Sequence, residues 1–314
     1  MKKKIIIAVL VVIILGVGGY FLFQFLSDKN NASEKENLKT EEILSQENEQ
    51  NEELTEEEKE NQEPEKNKEK SIIGKSVEGR DIFAYHYGSG DTEILFIGGI
   101  HGGYSWNTSL VAYEAIDYFK VNSNIIPANL KITIIPVLNP DGLYKVVGTT
   151  EKFSSVNVAS SQVVQVSGRF NANEVDLNRN FDCDWQSSAK WQDKIVSGGD
   201  SVFSEPESLA VKNYIETQKP KAVIVWYSAA GGVFSSSCHN GVLPETEIIT
   251  QKFADASGYP AYKSFDFYAT TGDMVNWLAK INIPAISVLL SNHTDIEWEK
   301  NKAGIEALLE YYTE

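Results

Sequence analysis

Four short apolar runs, each ended by glycine, proline or polar residues, constrain this chain more than any other feature. They lie at 93–98, 131–136, 222–227 and 285–290, and they are rich in Ile, Val and Leu. Runs this short, β-branched and bounded by breakers predict buried strands. Helical patterns fall between and after them, over 107–119, 205–218, 245–257 and 297–312, with a shorter one over 271–278. Strands alternating with helices predict a single α/β domain: a central mixed, largely parallel sheet flanked by helices on both faces. Ligands of such sheets bind beyond the carboxyl ends of the strands, so the polar segments after each run are where chemistry is expected.

The pattern starts near Ser71, and what precedes it is of two other kinds. Residues 5–26 carry only one strongly polar side chain, Gln24. A helix of that length spans roughly 33 Å, against about 30 Å for a bilayer core. No small-residue cleavage site closes the run, so residues 1–27 read as an uncleaved transmembrane anchor rather than a signal peptide. Lys2, Lys3 and Lys4 favour a cytoplasmic N-terminus, which places the rest of a single-pass membrane protein outside the cell. Residues 28–70 hold 16 acidic and seven basic side chains, no aromatic residue and no glycine. Burial that small cannot offset backbone entropy, and the segment reads as a disordered acidic linker. Residues 71–314 are long enough for one domain with a real core. The formal net charge of −16, with no stripe of Lys or Arg, argues against a nucleic-acid partner.

Four segments following the strand-like runs carry the chemistry: Gly98-Gly-Ile-His101-Gly-Gly-Tyr-Ser105, Asn139-Pro-Asp-Gly142, Val175-Asp-Leu-Asn178-Arg179-Asn-Phe181 and Tyr227-Ser228-Ala-Ala-Gly-Gly232. In order and spacing they resemble the zinc metallocarboxypeptidases, the carboxypeptidase A-like metallopeptidases. The resemblance covers essentially all of 71–312, including a first strand and turn at Ile73-Gly-Lys-Ser-Val-Glu-Gly-Arg80. It implies a zinc ion held by two His and one Glu with an open position for water. It also implies a separate glutamate as general base and an Arg/Asn cluster for the substrate's terminal carboxylate.

Against that pattern, His101 matches the first zinc ligand. The Glu ligand is expected three or four residues later, at Tyr104 or Ser105, and the second His at Tyr227. Leu289 stands in the slot of the catalytic Glu. Glu114, the nearest downstream carboxylate, is expected to point elsewhere. The substrate-orienting positions are kept: Asn178 and Arg179 match the carboxylate-binding pair, Arg169 the arginine that polarises the carbonyl, and Tyr268 the capping tyrosine. Asp273, Met274 and Val275 are expected near the pocket for the terminal side chain, Asp273 favouring a basic group and Val275 an apolar one. Structural roles compete for most of these residues: a core histidine at His101, loop hydrogen bonding by Asn178 and Arg179, and aromatic packing at Tyr268. A rebuilt site using His101, His293 and a carboxylate is a further alternative, while His86 and His239 belong to other patterns. Cys183 and Cys238 flank the same cleft and are expected to form a disulfide, with two buried thiols as the alternative.

No zinc is expected at this site. The leading expectation is a membrane-anchored pseudo-enzyme that binds the free carboxylate of a peptide or cell-wall peptide. The alternatives are a metallocarboxypeptidase with unorthodox ligands and a purely structural or partner-binding ectodomain.

Overall fold

The structure, a computed structural model, describes residues 69–313. The expected membrane anchor, and the linker up to residue 68, lie outside the described residues. Among these, no helix is long and apolar enough to cross a membrane. The first strand begins at Lys70, one residue before the expected domain boundary.

Among the described residues there are ten strands and seven α-helices. In chain order the strands are β1 (Lys70–Lys75), β2 (Asp81–Tyr87), β3 (Thr92–Ile97), β4 (Leu130–Ile135), β5 (Ser188–Trp191), β6 (Lys194–Ser197), β7 (Ala222–Ser228), β8 (Gly232–Ser235), β9 (Ala261–Tyr262) and β10 (Ala285–Leu290). The helices are α1 (Trp106–Val121), α2 (Pro140–Val147), α3 (Gln162–Ser167), α4 (Pro206–Gln218), α5 (Pro244–Ser257), α6 (Met274–Lys280) and α7 (Trp298–Thr313). Eight strands form one sheet in the order β1-β2-β4-β3-β7-β10-β8-β9, and β5 and β6 pair in a separate hairpin. The β4-β3-β7-β10 centre is parallel, and antiparallel pairs join it to β2 and β8. The mixed sheet expected from the sequence is present, and all four predicted runs are strands.

Alternation along the central strands divides the core. Ile94, Phe96, Ile224, Trp226, Ile286 and Val288 face one side and pack with residues of α1, α5 and α7. Leu95, Ile97, Val223, Val225, Tyr227 and Leu289 face the other and pack with residues of α4 and α6. Trp226 is fully buried, and its indole nitrogen donates to Asn301 Oδ1 at 2.9 Å, tying β7 to α7. The same alternation sets up the cleft: Leu289 is directly opposite Tyr227 in the parallel register, so both reach the same face at the carboxyl ends of their strands.

Cys183 and Cys238 are joined in a disulfide, the first of the two expected arrangements. It staples the loop after Arg179 to the loop after β8, closing 55 residues of sequence. A closure of that length is worth about 2–4 kcal/mol through the unfolded state. The Cys183→Ala/Cys238→Ala variant is therefore expected to unfold at lower urea than the oxidised parent. An unchanged midpoint would mean that neither loop depends on the staple.

Candidate active-site cleft

Three loops meet behind His101. A Cβ on Gly102 (φ +43°) would lie 2.6 Å from Gly168 O, and one on Gly142 would lie 2.4 Å from the same oxygen. Gly103 N donates to Gly168 O at 3.1 Å. Glycine in His101-Gly-Gly and Asn139-Pro-Asp-Gly is thus needed for close backbone approach, and Asn139 caps α2 by accepting from Gly142 N at 2.8 Å.

His101 caps a 3₁₀ turn, Gly102–Ser105, and is buried. Three residues make one turn of such a helix, so position three after His101 shares its side. Accordingly Tyr104 lines the cleft, while Ser105, 1% exposed, caps α1 and does not. Of the two candidate positions for the missing Glu ligand, Tyr104 lines the cleft and Ser105 does not.

The cleft encloses about 740 Å³ at the carboxyl ends of β3, β7 and β10. His101, Tyr104, Arg169, Asn178, Arg179, Tyr227, Tyr268 and Leu289 all line it, as do Asp273 and Val275. Met274, expected beside them, instead packs fully buried in the core under α6. Glu114 points away, bonded to Lys152 Nζ at 2.8 Å. His86 lies between Ser71 and Thr133, and His239 pairs with Asp184, both outside the cleft.

Asp176 organises the floor. Fully buried, it accepts from Asn178 N at 3.1 Å and Arg169 Nε at 2.9 Å, and Arg169 Nη2 lies 2.8 Å from Oδ2 as an ion-pair contact off the hydrogen-bond direction. Burial alone would raise its pKa, but Arg169 and Arg179 outweigh this and hold it below the usual carboxylate value. Arg169 lies over the Trp191 ring at 4.3 Å. Arg179 is 1% exposed and donates only to backbone carbonyls, of Lys190 through Nε (2.8 Å) and of Asn178 through Nη1. No carboxylate lies within 4.0 Å of its guanidinium among the described residues, and the Tyr268 ring is 6.0 Å away.

Asn178 is held from three sides. Its amide oxygen accepts from Tyr227 Oη at 3.2 Å and from Met274 N at 3.1 Å, and its amide nitrogen donates to Asp273 Oδ2 at 2.7 Å. Asp273 also caps α6 through Asn276 N. Burial raises its pKa against the pull of Arg179 and these hydrogen bonds. Both its oxygens are thus engaged by the protein, which weakens its case as the anchor for a basic side chain.

His101 has no hydrogen-bond partner at either ring nitrogen; Nε2 is 3.7 Å from Asp176 Oδ1 and the ring is tilted 5.6 Å from that of Tyr227. Its isolation permits a zinc test. Tyr227, pushed well above the usual phenol pKa by burial, already bonds Asn178, and burial likewise raises Tyr104. His293 also lines the cleft, but its Nδ1 is 2.9 Å from Ser228 Oγ. No third His, Cys, Asp or Glu ligand atom gathers with His101 and His293 within 4.8 Å of one another among the described residues. These side chains do not make the three-ligand set of a catalytic zinc. Leu289, 6% exposed, has no proton acceptor to offer as a base.

Two contributors escaped the sequence reading. Asp176 sits inside the quoted Val175–Phe181 motif and could have been found as the buried partner that Arg169 needs. Trp191 lies on the β5–β6 hairpin, whose four-residue strands are too short for the alternation of Ser-Ala-Lys-Trp to stand out.

Buried His101 and half-buried His86 and His293 set a pH dependence. Burial lowers His101 well below 6.5, with Arg169 adding to it, and lowers His86 and His293 too. A depressed folded pKa means that the unfolded chain binds the proton first, so stability is full above pH about 6.5 and is lost as pH falls toward the folded value. For His101 the slope reaches at most about 1.4 kcal/mol per pH unit. Urea midpoints should fall between pH 7.5 and 5.5, and less steeply in His101→Gln. An identical slope in the variant would contradict a buried neutral imidazole.

The zinc carboxypeptidase family profile matches residues 55–296. Among curated proteins the chain is similar to the Homo sapiens carboxypeptidase N catalytic chain, 26% identical over 207 residues, 62% of this chain and 40% of the relative. It is also similar to gamma-D-glutamyl-L-diamino acid endopeptidase 1 of Lysinibacillus sphaericus, 23% identical over 216 residues, 63% of this chain and 54% of the relative. The chain thus spans about half the length of these relatives, or less. The murein-tripeptide amidase of Escherichia coli O157 shares the fold at TM-score 0.53 and 19% identity, covering 77% of this chain and 92% of its own. Bovine thrombin-activatable fibrinolysis inhibitor shares it at TM-score 0.59 and 18% identity, covering 78% and 88%. Since the family profile matches well over half of the chain and the solved relatives share its sheet and helices, the chain belongs to the zinc carboxypeptidase family.

Proposed function

We propose that this protein is a pseudo-enzyme of the family, which binds the carboxyl terminus of a peptide and does not hydrolyse it. The observation that carries this reading is the pairing of opposites in one cleft. The metal and base positions hold Tyr104, Tyr227 and Leu289, while Arg179 stays buried with no carboxylate partner among the described residues. A buried guanidinium bonded only to backbone carbonyls is costly, and a ligand carboxylate is its natural complement. Arg169 already has Asp176, so Arg179 is the residue assigned to the ligand, with Asn178 fixed beside it. Tyr268 stands over Arg179 where it can cover the bound terminus.

Cell-wall stem peptides are the proposed ligand class. Two of the similar proteins bear the names murein-tripeptide amidase and gamma-D-glutamyl-L-diamino acid endopeptidase. In this reading residues 5–26 anchor the protein and the acidic segment after them spaces the domain from the membrane, outside the cell. Protease added to intact cells should release the domain; its protection would reverse the topology.

Peptides with a free C-terminus should bind the wild-type chain roughly 10- to 150-fold more tightly than their amides, the equivalent of one charge-assisted contact of about 1.5–3 kcal/mol. Arg179→Ala should erase that difference. Equal affinities in the wild type would leave the cleft vestigial.

A further inference from the structure

Outside the cleft, one group of ligand-type side chains has no part in carboxylate binding. Cys183, Asp184, Cys238 and His239 bring one ligand atom each to within 4.8 Å of one another. The two sulfurs are buried, whereas Asp184 and His239 are exposed, so the cluster opens to solvent on one side. His239 Nε2 lies 2.7 Å from Asp184 Oδ1. Asp184 (φ +52°) and His239 (φ +49°) both hold left-handed backbone, an uncommon conformation that turns both side chains toward the same sulfurs. As a disulfide the sulfurs are poor ligands, and the His–Asp pair alone is too few.

We propose that reduction of the Cys183–Cys238 disulfide turns this cluster into a zinc site of two thiolates, one imidazole and one carboxylate. A dithiol reductant supplies two electrons and two protons: the S–S bond breaks, two thiols form, and the reductant leaves as its own disulfide. Zinc then takes both sulfurs as thiolates, releasing those two protons to solvent, and takes His239 as neutral imidazole. The set is that of a closed tetrahedral site, with soft sulfur and borderline nitrogen donors selecting zinc over magnesium or calcium. The metal would replace the covalent staple between the same two loops. One of these continues from Asn178 and Arg179; the other carries Ser237, which lines the cleft. Cleft geometry would then survive reduction only where zinc is present.

The test is titration of the full-length chain with Co(II), before and after reduction by a phosphine that is then removed. The reduced chain should bind one Co(II), with thiolate-to-cobalt charge-transfer bands and the visible spectrum of a tetrahedral ion, and zinc should displace it. The oxidised chain should show neither band. His239→Ala should weaken binding by about tenfold or more while leaving the fold intact. In parallel, zinc should protect both cysteines of the reduced chain from alkylation. Three results would overturn the proposal: no charge-transfer band after reduction, bands unchanged in both His239→Ala and Asp184→Ala, or loss on reduction of the near-ultraviolet dichroism of the folded domain that added zinc does not restore. Since the cluster lies apart from Arg179, failure here leaves the peptide-binding reading standing, and the reverse also holds.

Discussion

Zinc affinity at the cleft should rise by roughly two orders of magnitude or more when Tyr104→Glu and Tyr227→His are combined in the disulfide-bonded chain. His101 is already buried with neither ring nitrogen bonded, and Asp176 stands 3.7 Å behind it, a carboxylate placed to orient a ligating imidazole. Tyr104 lies on the same side of the 3₁₀ turn, and Tyr227, the last residue but one of β7, lines the cleft with it. The main structural loss is the Tyr227–Asn178 hydrogen bond, about 1 kcal/mol. Adding Leu289→Glu should then raise peptide hydrolysis by about 10²- to 10⁴-fold over the two-ligand variant, the contribution of a general base. Isothermal titration with zinc and a chromogenic peptide assay read the two steps separately. If the double variant takes up no zinc, the losses at 104 and 227 are not what sets the cleft apart.

Arg169→Met should destabilise the domain by about 3–5 kcal/mol, because Asp176 would remain fully buried without its principal counter-charge. Arg179→Met should cost clearly less, since Arg179 acts on Asp176 only at longer range and has no carboxylate within 4.0 Å among the described residues. The two arginines are equally buried, so burial alone predicts equal effects, whereas the pairing seen here predicts a large difference. Denaturant unfolding of both variants decides the matter, and matching midpoints would contradict the assignment of Arg169 to structure and Arg179 to ligand.

The sequence revealed those parts of the molecule where one physical signal dominates. The run at 285–290 is buried along its whole length, and its apolar content matched the strand residue for residue. Helix ends were close where proline or glycine marks them, as at Pro244 and Gly258 around α5. β2 was missed because Asp81–Tyr87 mixes polar and aromatic residues in place of an unbroken apolar run, although Gly79 and Gly88 flank it. β8 was missed because it begins at Gly232 inside a glycine-rich stretch that reads as loop.

The site followed the same division. Its loops could be located because strand ends in α/β sheets gather ligand groups. The choice between Tyr104 and Ser105 could not be made from spacing, since it depends on whether three or four residues complete the turn after His101. Nor could the engagement of Asp273 by Asn178 and Asn276, residues 95 positions distant and three positions distant, be read from a local pattern.

The most direct test is metal analysis of the wild-type chain, purified without reductant from zinc-supplemented cells, with peptide hydrolysis followed on the same sample. The account predicts zinc far below one per chain and no hydrolysis above a chelated control. One zinc per chain, with peptidase activity that disappears when the metal is chelated, would contradict it.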